Sequence, residues 1–431
     1  MKISVESVSP VERKVTIEID PDRVAREIEK AYVGLGRRVK LRGFRPGKAP
    51  RNVLERHFKD QVESEVVEKL VSSTFVEAVR QESIDAVAPP SVSLGEGGIA
   101  EGRPLRYTAR VEVKPRIEPK DYRALEVERK APEVTDQMVS DELTKLQDRL
   151  SELVPAEGRL DAQEGDWAVV DHEGTIDGAP FEGSKAEGVT VRVGPGALSE
   201  GNLAALAGKR LGETVELDEP FAADHRNAAL RGKTVRMKVT LQGIRVRRVP
   251  PLDDAFARLV GIEGVETLTA LRERIRSDLA RRESRRSEND TREALVKAAL
   301  ARNEFEVPPA LVERAIDNMI EGAAERFARS GVDIRQLGLD VARMRADLRE
   351  QALLTVRGAL LLEAIADAEK IEATAEEVEA EIAKMAEDLG VPVARVKQQM
   401  GGADARKALS NRIREDKAMA LLASHAKIQE K

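Results

Sequence analysis

The spacing of apolar and polar positions changes character three times along this chain. Over residues 1–20, Val11, Val15, Ile17 and Ile19 fall mostly on one alternating face between charged residues, which predicts strands. Asp20-Pro21 then opens a helix, with Asp20 as N-cap and Pro21 at the first helical position. Val24, Ile28, Ala31 and Leu35 follow at helical spacing. Residues 43–50 break the pattern, and a second helical stretch runs from about 51 to 83. A glycine turn at 95–98 leads into a strand-like run at 105–113. The first 115 residues therefore read as α+β.

Pro115, Pro119 and Pro132 mark a connecting stretch, and a helical pattern begins near Thr135. Across 160–246 short β-rich runs alternate with turns, at 167–172, 176–178, 189–193, 214–217 and 234–246. From Pro250 onward helical periodicity takes over. Residues 267–303 predict one long helix of about 55 Å at 1.5 Å per residue, an extended arm rather than a ball. Pro308-Pro309 opens another helix. Thr374-Ala375-Glu376-Glu377 is a capping box that starts a third, and Gly401-Gly402 separates the last. No fixed-period repeat is present.

Length and composition fit this multidomain picture. At 431 residues the chain exceeds one ordinary core, and 41% hydrophobic against 34% charged residues is a globular balance. With no cysteine, disulfides, thiol catalysis and thiolate metal sites are excluded. The four histidines, His57, His172, His225 and His425, lie far apart, so no histidine metal centre and no cofactor is expected. No run approaches the 18 apolar residues of a membrane span, and the N-terminus lacks the apolar stretch of a signal peptide. The expectation is a cytoplasmic protein without a membrane partner.

Charge adds one feature. Residues 37–59 hold nine basic groups against the single acid Glu55, a local net of +8 in a chain of −6. Such a concentration in an otherwise acidic protein suits docking on an anionic surface.

The common catalytic signatures fail. Gly232-Lys233-Thr234 resembles the end of a P-loop, but its required first glycine falls on Asn227. Gly194, Gly196 and Gly201 have the wrong spacing for a dinucleotide fingerprint, there is no HExxH, and Ser199 lacks the glycine that precedes a nucleophile elbow. The informative segment is Gly43-Phe44-Arg45-Pro46-Gly47-Lys48-Ala49-Pro50. Its glycines permit unusual backbone angles, its prolines stiffen it, and it carries one aromatic and two cations inside the basic patch. On the residues alone, a docking loop and an interhelical turn with Phe44 tucked into its own core fit equally well.

The same segment resembles the ribosome-docking signature of bacterial trigger factors. The resemblance extends through Glu112-Val113-Lys114-Pro115 and Asp121-Tyr122, which look like that family's end of the first domain. It continues through Asp171-His172-Glu173-Gly174-Thr175-Ile176-Asp177-Gly178 with Phe181-Glu182-Gly183, similar to its FKBP-type module. Pro250-Pro251-Leu252-Asp253-Asp254-Ala255-Phe256 looks like the entry to its helical domain. The resemblance implies a ribosome-binding α+β domain at 1–115, a linker and helix at 116–159, an FKBP-type prolyl isomerase domain at 160–246, and an all-α chaperone domain with extended arms at 247–431. Implied partners are the large ribosomal subunit, through exit-tunnel protein and rRNA, and nascent or unfolded polypeptides. Off the ribosome, both a free monomer and a homodimer stay open. Gly43, Phe44, Arg45, Pro46, Gly47 and Lys48 would form the docking site.

Prolyl isomerases of this type need neither nucleophile nor metal: a dry, aromatic-lined pocket prefers the twisted amide. Here the implied pocket positions are Phe181, His172, Asn202, His225 and Met237. Only Phe181 keeps the aromatic ring usual in the family. His172, Asn202 and Met237 stand where phenylalanine is usual, and His225 replaces tyrosine. The expectation is weak isomerase activity. Two other functions compete with the chaperone reading: a dedicated prolyl isomerase, and an RNA-binding protein using the 37–59 patch.

Overall fold

The computed structural model describes residues 1–39, 41, 44, 50–95, 98–100, 102–194, 203–221, 230–329, 331 and 340–430. It divides into two compact units, Met1–Lys130 with Glu288–Lys431, and Ala131–Ser287. The first unit opens with β1 (Lys2–Ser9), β2 (Glu12–Ile19), α1 (Pro21–Arg38), α2 (Arg51–Gln81), β3 (Ser91–Leu94), β4 (Leu105–Glu112) and β5 (Glu126–Arg129). The second holds α3 (Asp136–Arg149), β6 (Glu152–Pro155), β7 (Trp167–Ile176), β8 (Ala179–Arg192), β9 (Thr214–Pro220), β10 (Thr234–Arg248), α4 (Asp254–Val260) and the first part of α5 (Leu268–Leu300). The first unit resumes with the end of α5, then α6 (Pro309–Arg329), α7 (Val341–Ala368), α8 (Ala375–Leu389), α9 (Val393–Gln399), α10 (Ala403–His425) and β11 (Lys427–Glu430).

In the first unit an antiparallel sheet runs in the order β1-β2-β4-β3. Strict alternation puts Val15, Ile17 and Ile19 of β2 beside Ala109, Tyr107 and Leu105 of β4, all buried. Helices α1 and α2 cover that face with Val24, Ile28, Tyr32, Leu54, Val62, Val66 and Leu70. Tyr107 is fully buried, and its hydroxyl lies 2.8 Å from Thr74 Oγ1, itself within 2.7 Å of the Leu70 carbonyl. The Tyr107 phenol is thus paired, as burial requires.

Several local expectations change. Asp20 occupies the N-cap position of α1 but caps no backbone N–H; its carboxylate instead takes the Met1 ammonium at 2.5 Å. Helix α2 is kinked at Phe58 (φ −132°, ψ 16°), where no proline or glycine signals it. The long helix is shorter than read, spanning 33 residues as α5. The run at 189–193 is the end of the 14-residue β8. Four-residue strands β3, β5, β6 and β11 carry too few positions to show a period in sequence. Trp167 is half-buried on the opposite side of β7 from Ala168. The capping box of α8 forms as read, Thr374 and Glu377 each satisfying the other's backbone N–H.

The helical part of the first unit centres on Leu295, Ala299, Leu361, Ile365, Ala418, Met419 and Leu422, closed by Leu125 and Val127. At the crossing of α5 and α7, a Cβ on Gly358 would lie 2.8 Å from Val296 Cγ1, so only glycine permits that approach. Strand β11 pairs in parallel with β5, setting Ile428 beside Val127. Polar contacts tie the sheet region to these helices. Lys114 Nζ binds both oxygens of Glu363 on α7 at 2.7 and 2.8 Å, Ala310 N at the start of α6 donates to Glu112 Oε2, and Arg314 donates to the Val87 carbonyl.

Glu415 on α10 has the opposite environment. Burial first, then the charges of Glu363 and Asp416, hold its carboxyl above the ordinary value, and Lys114 and Arg412 offset this only in part. A raised folded-state pKa means the folded chain binds the proton more tightly than the unfolded one. This contribution is therefore full below the unfolded value of 4.5 and is lost as pH rises through the higher folded value. Glu415→Gln is expected to raise the thermal midpoint at pH 7 and to reduce the fall in stability between pH 4.5 and 7, as measured by calorimetry. An unchanged profile would show that Glu415 ionises freely in the fold.

Candidate functional site

Two places carry the residues singled out above. In the first unit, Phe44 lies between α1 and α2, with its N–H donating to the Leu41 carbonyl at 3.1 Å. Its side chain is 39% exposed, whereas Leu41 packs against the core, so the tucked-in alternative is not the one adopted. Gly43, Arg45, Pro46, Gly47 and Lys48 lie outside the described residues. The flanking helices approach closely at Gly36, where a Cβ would meet Leu54 Cδ1 at 3.3 Å.

The basic patch is more neutralised than its sequence count indicates. Arg51 stacks over Tyr32 at 5.3 Å and donates to Glu55 and to Glu29, an acid delivered by α1 from outside the window. Lys59 pairs with Glu63 at 3.8 Å. Arg37, Arg38 and Arg56 are exposed and have no ion pair among the described residues. The outward positive charge thus concentrates at the helix ends that flank Phe44.

In the second unit, β6-β10-β7-β8 form an antiparallel sheet, with β9 also paired to β10. Asp177 (φ 51°) and Gly178 (φ 82°) both take the left-handed conformation, the signature of a two-residue type I′ hairpin between β7 and β8. That turn fixes which residues of β7 face inward: Ala168, Val170, His172, Gly174 and Ile176 alternate on one side. Register places Val239 of β10 opposite His172 and Met237 opposite Gly174. Beyond β10, Leu217 of β9 pairs with Met237.

One end of this inner face is an apolar cluster of Ile176, Leu230 and Val235, with Phe181, Phe221 and Met237 against them. Met237 also touches the module's main core of Val170, Val239 and Leu241, so it joins core and cluster. Gly174 makes room for the cluster's ring: a Cβ there would stand 3.3 Å from Phe181 Cε1 and 3.1 Å from Val235 Cγ1. The structure therefore unites Phe181 and Met237, with His172 on the same strand face. Asn202 and His225 lie outside the described residues. Sequence reading missed Phe221. Its signal was the odd-numbered series Val215, Leu217, Glu219 along β9, which Phe221 continues beyond Pro220.

Such a face can act on an X-Pro bond without acid, base or metal. The planar amide is the polar form, and twisting it by the ~18–20 kcal/mol barrier route removes its resonance. Apolar walls therefore favour the twisted form over the planar one, and any such preference lowers the barrier.

Comparison with known proteins fits these features. Residues 1–146 match the family described as bacterial trigger factor protein, and 267–424 match the trigger factor C-terminus. Residues 158–242 match the FKBP-type peptidyl-prolyl cis-trans isomerase family. The chain is 72% identical over 429 residues to the trigger factor of Anaeromyxobacter sp. (strain Fw109-5) and 70% over 430 residues to that of Anaeromyxobacter dehalogenans (strain 2CP-C), covering 100% of both chains in each case. It is 35% identical over 431 residues to the trigger factor of Geobacter sp. (strain M21), covering 100% of this chain and 98% of that one. An α+β region, a β-rich isomerase fold and a helical region in one chain define a chaperone with a built-in FKBP-type prolyl isomerase. The chain belongs to the trigger factor family.

Phe221 gives the isomerase face its second phenyl ring. Phe221→Ala is expected to lower kcat/KM on a proline peptide by about fivefold or more, in line with the loss of an aromatic contact worth ~1 kcal/mol or more. A protease-coupled peptide assay reads this, with circular dichroism confirming the fold. Unchanged kinetics would remove Phe221 from the site.

Proposed function

We propose that this chain is a cytoplasmic chaperone that docks on the large ribosomal subunit and shields emerging polypeptides. The observation that carries the docking step is the exposed phenyl ring of Phe44 between helix ends bearing unpaired Arg37, Arg38 and Arg56. An aromatic that can wedge or stack, set between helices that carry guanidinium groups, suits a surface of ribosomal protein and rRNA. Phe44 and Arg45 make the main contacts, and Gly43, Pro46, Gly47 and Lys48 shape the loop. In this reading 1–115 binds the ribosome, 116–159 links, 160–246 isomerises proline and 247–431 cradles substrate with extended arms. A homodimer off the ribosome is compatible with this reading.

Isomerase activity is weak in the same reading. Met237, His172, Asn202 and His225 occupy pocket positions without the phenyl rings that would keep them dry, so preference for the twisted amide falls. Substrate held by the helical region compensates, raising the rate on an unfolded protein above that on a short peptide. Equal or high rates on both would overturn this part.

The first experiment is co-sedimentation with ribosomes for the native protein and a Phe44→Ala/Arg45→Ala variant. Native protein is expected to pellet and the variant to stay in the supernatant, with attachment weakening as salt rises. Equal pelleting would place the docking surface elsewhere. Binding to naked RNA as tight as to ribosomes would favour the RNA-binding alternative.

A further inference from the structure

On the inner face of the isomerase sheet, His172 has a ring nitrogen that no described neighbour satisfies. His172 follows Val170 and precedes Gly174 on the inward series of β7. Its neighbours across the sheet are Val239 on β10 and Ala186 on β8, neither of which has a polar side-chain atom. Its Nδ1 is buried without a hydrogen-bond partner among the described residues. One pleat along the strand, about 7 Å away, Phe181 covers Gly174.

This arrangement favours one tautomer. A proton on Nδ1 would be buried with no acceptor among the described residues, so the neutral ring is expected to carry its proton on Nε2. His172 is half-buried as a whole, which leaves Nε2 at the more open end of the ring. The ring therefore presents an N–H donor beside an apolar cluster. A peptide bound around proline offers mostly acceptors there, because proline has no N–H of its own.

We propose that His172 is a substrate-contacting residue of the isomerase face, donating through Nε2 to a backbone carbonyl of the bound peptide. This deepens the isomerase reading and rests on it. The buried, unpartnered Nδ1 is a cost to the fold that an apolar side chain would avoid, so the histidine stands there against the interest of stability. A face that only needed to be dry would gain from phenylalanine at this position in both stability and binding. The proposal requires the two to move in opposite directions.

The test uses the full-length protein and a capped tetrapeptide with a central Leu-Pro bond. His172→Phe is expected to raise the thermal midpoint yet weaken peptide binding by about two- to tenfold, the worth of one neutral hydrogen bond. His172→Gln, which keeps a donor, is expected to retain most of the binding and serves if the phenylalanine variant misfolds. With histidine-selective ¹⁵N labelling, the His172 Nε2 resonance of native protein is expected to shift when peptide is added, while those of His57 and His425 stay in place. Equal or tighter binding by His172→Phe, or an unmoved Nε2 resonance in a protein that does bind peptide, overturns the role of His172 alone. If native protein does not bind the peptide at all, the isomerase-face reading falls, and the role of His172 falls with it.

Discussion

Everything in the first unit depends on holding together two stretches of chain separated by 157 residues, since Met1–Lys130 and Glu288–Lys431 form one body with Ala131–Ser287 between them. The central fastening is the buried amide of Asn303. Its Oδ1 accepts from Lys120 N at 2.8 Å, and its Nδ2 donates to the Lys120 and Ala299 carbonyls, both at 2.9 Å. One side chain thereby joins the end of α5 to the segment leading away from the sheet. Truncating it would take this partner from the Lys120 N–H and carbonyl, each worth ~1–3 kcal/mol when buried and unpaired, while the Ala299 carbonyl would keep Arg302 N. Around it, Tyr122 and Arg123 donate to Glu369, Arg302 donates to the Asp121 carbonyl, and β11 closes over β5. Closing so long a loop costs more than a short one only logarithmically, so a few well-satisfied contacts suffice.

That economy explains what could be read from sequence. Regular elements announce themselves because burial imposes a period: the alternation in β2 and β4, the helical spacing from Val24, and the capping box at Thr374 were all visible in the chain. The fastenings were not. Asn303, Lys120 and Glu369 are ordinary polar residues whose partners lie far away in sequence, and β5 and β11 are four residues long and pair across about 300 positions. The basic patch failed in the same way. Its net of +8 was a count along the chain, and the fold brought Glu29 to it from α1 and Glu63 from the next turn of α2.

The isomerase face was half legible for a related reason. Asp177-Gly178 named its own turn, and once that turn is placed, β7 has only one way to face. Phe181 and Met237 could therefore be assigned from local sequence together with the family resemblance. Phe221 could not, because it reaches the cluster from beyond the end of β9, and only the pairing of β9 with β10 shows where that strand points.

The few aromatic side chains show where rings are needed. Among one Trp, three Tyr and eight Phe, Tyr107 and Phe256 are fully buried in separate cores, where aliphatic residues do most of the packing. Phe181 and Phe221 share one apolar cluster on the inner face of a sheet that already has its own aliphatic core. Phe44 is displayed at the surface, where exposing a ring contributes nothing to the fold. A chain that fills its cores with Leu, Val, Ile and Ala does not need phenylalanine at these three places for stability. The paired rings of Phe181 and Phe221 and the exposed ring of Phe44 are therefore the aromatic positions at which substrate and a docking partner are sought.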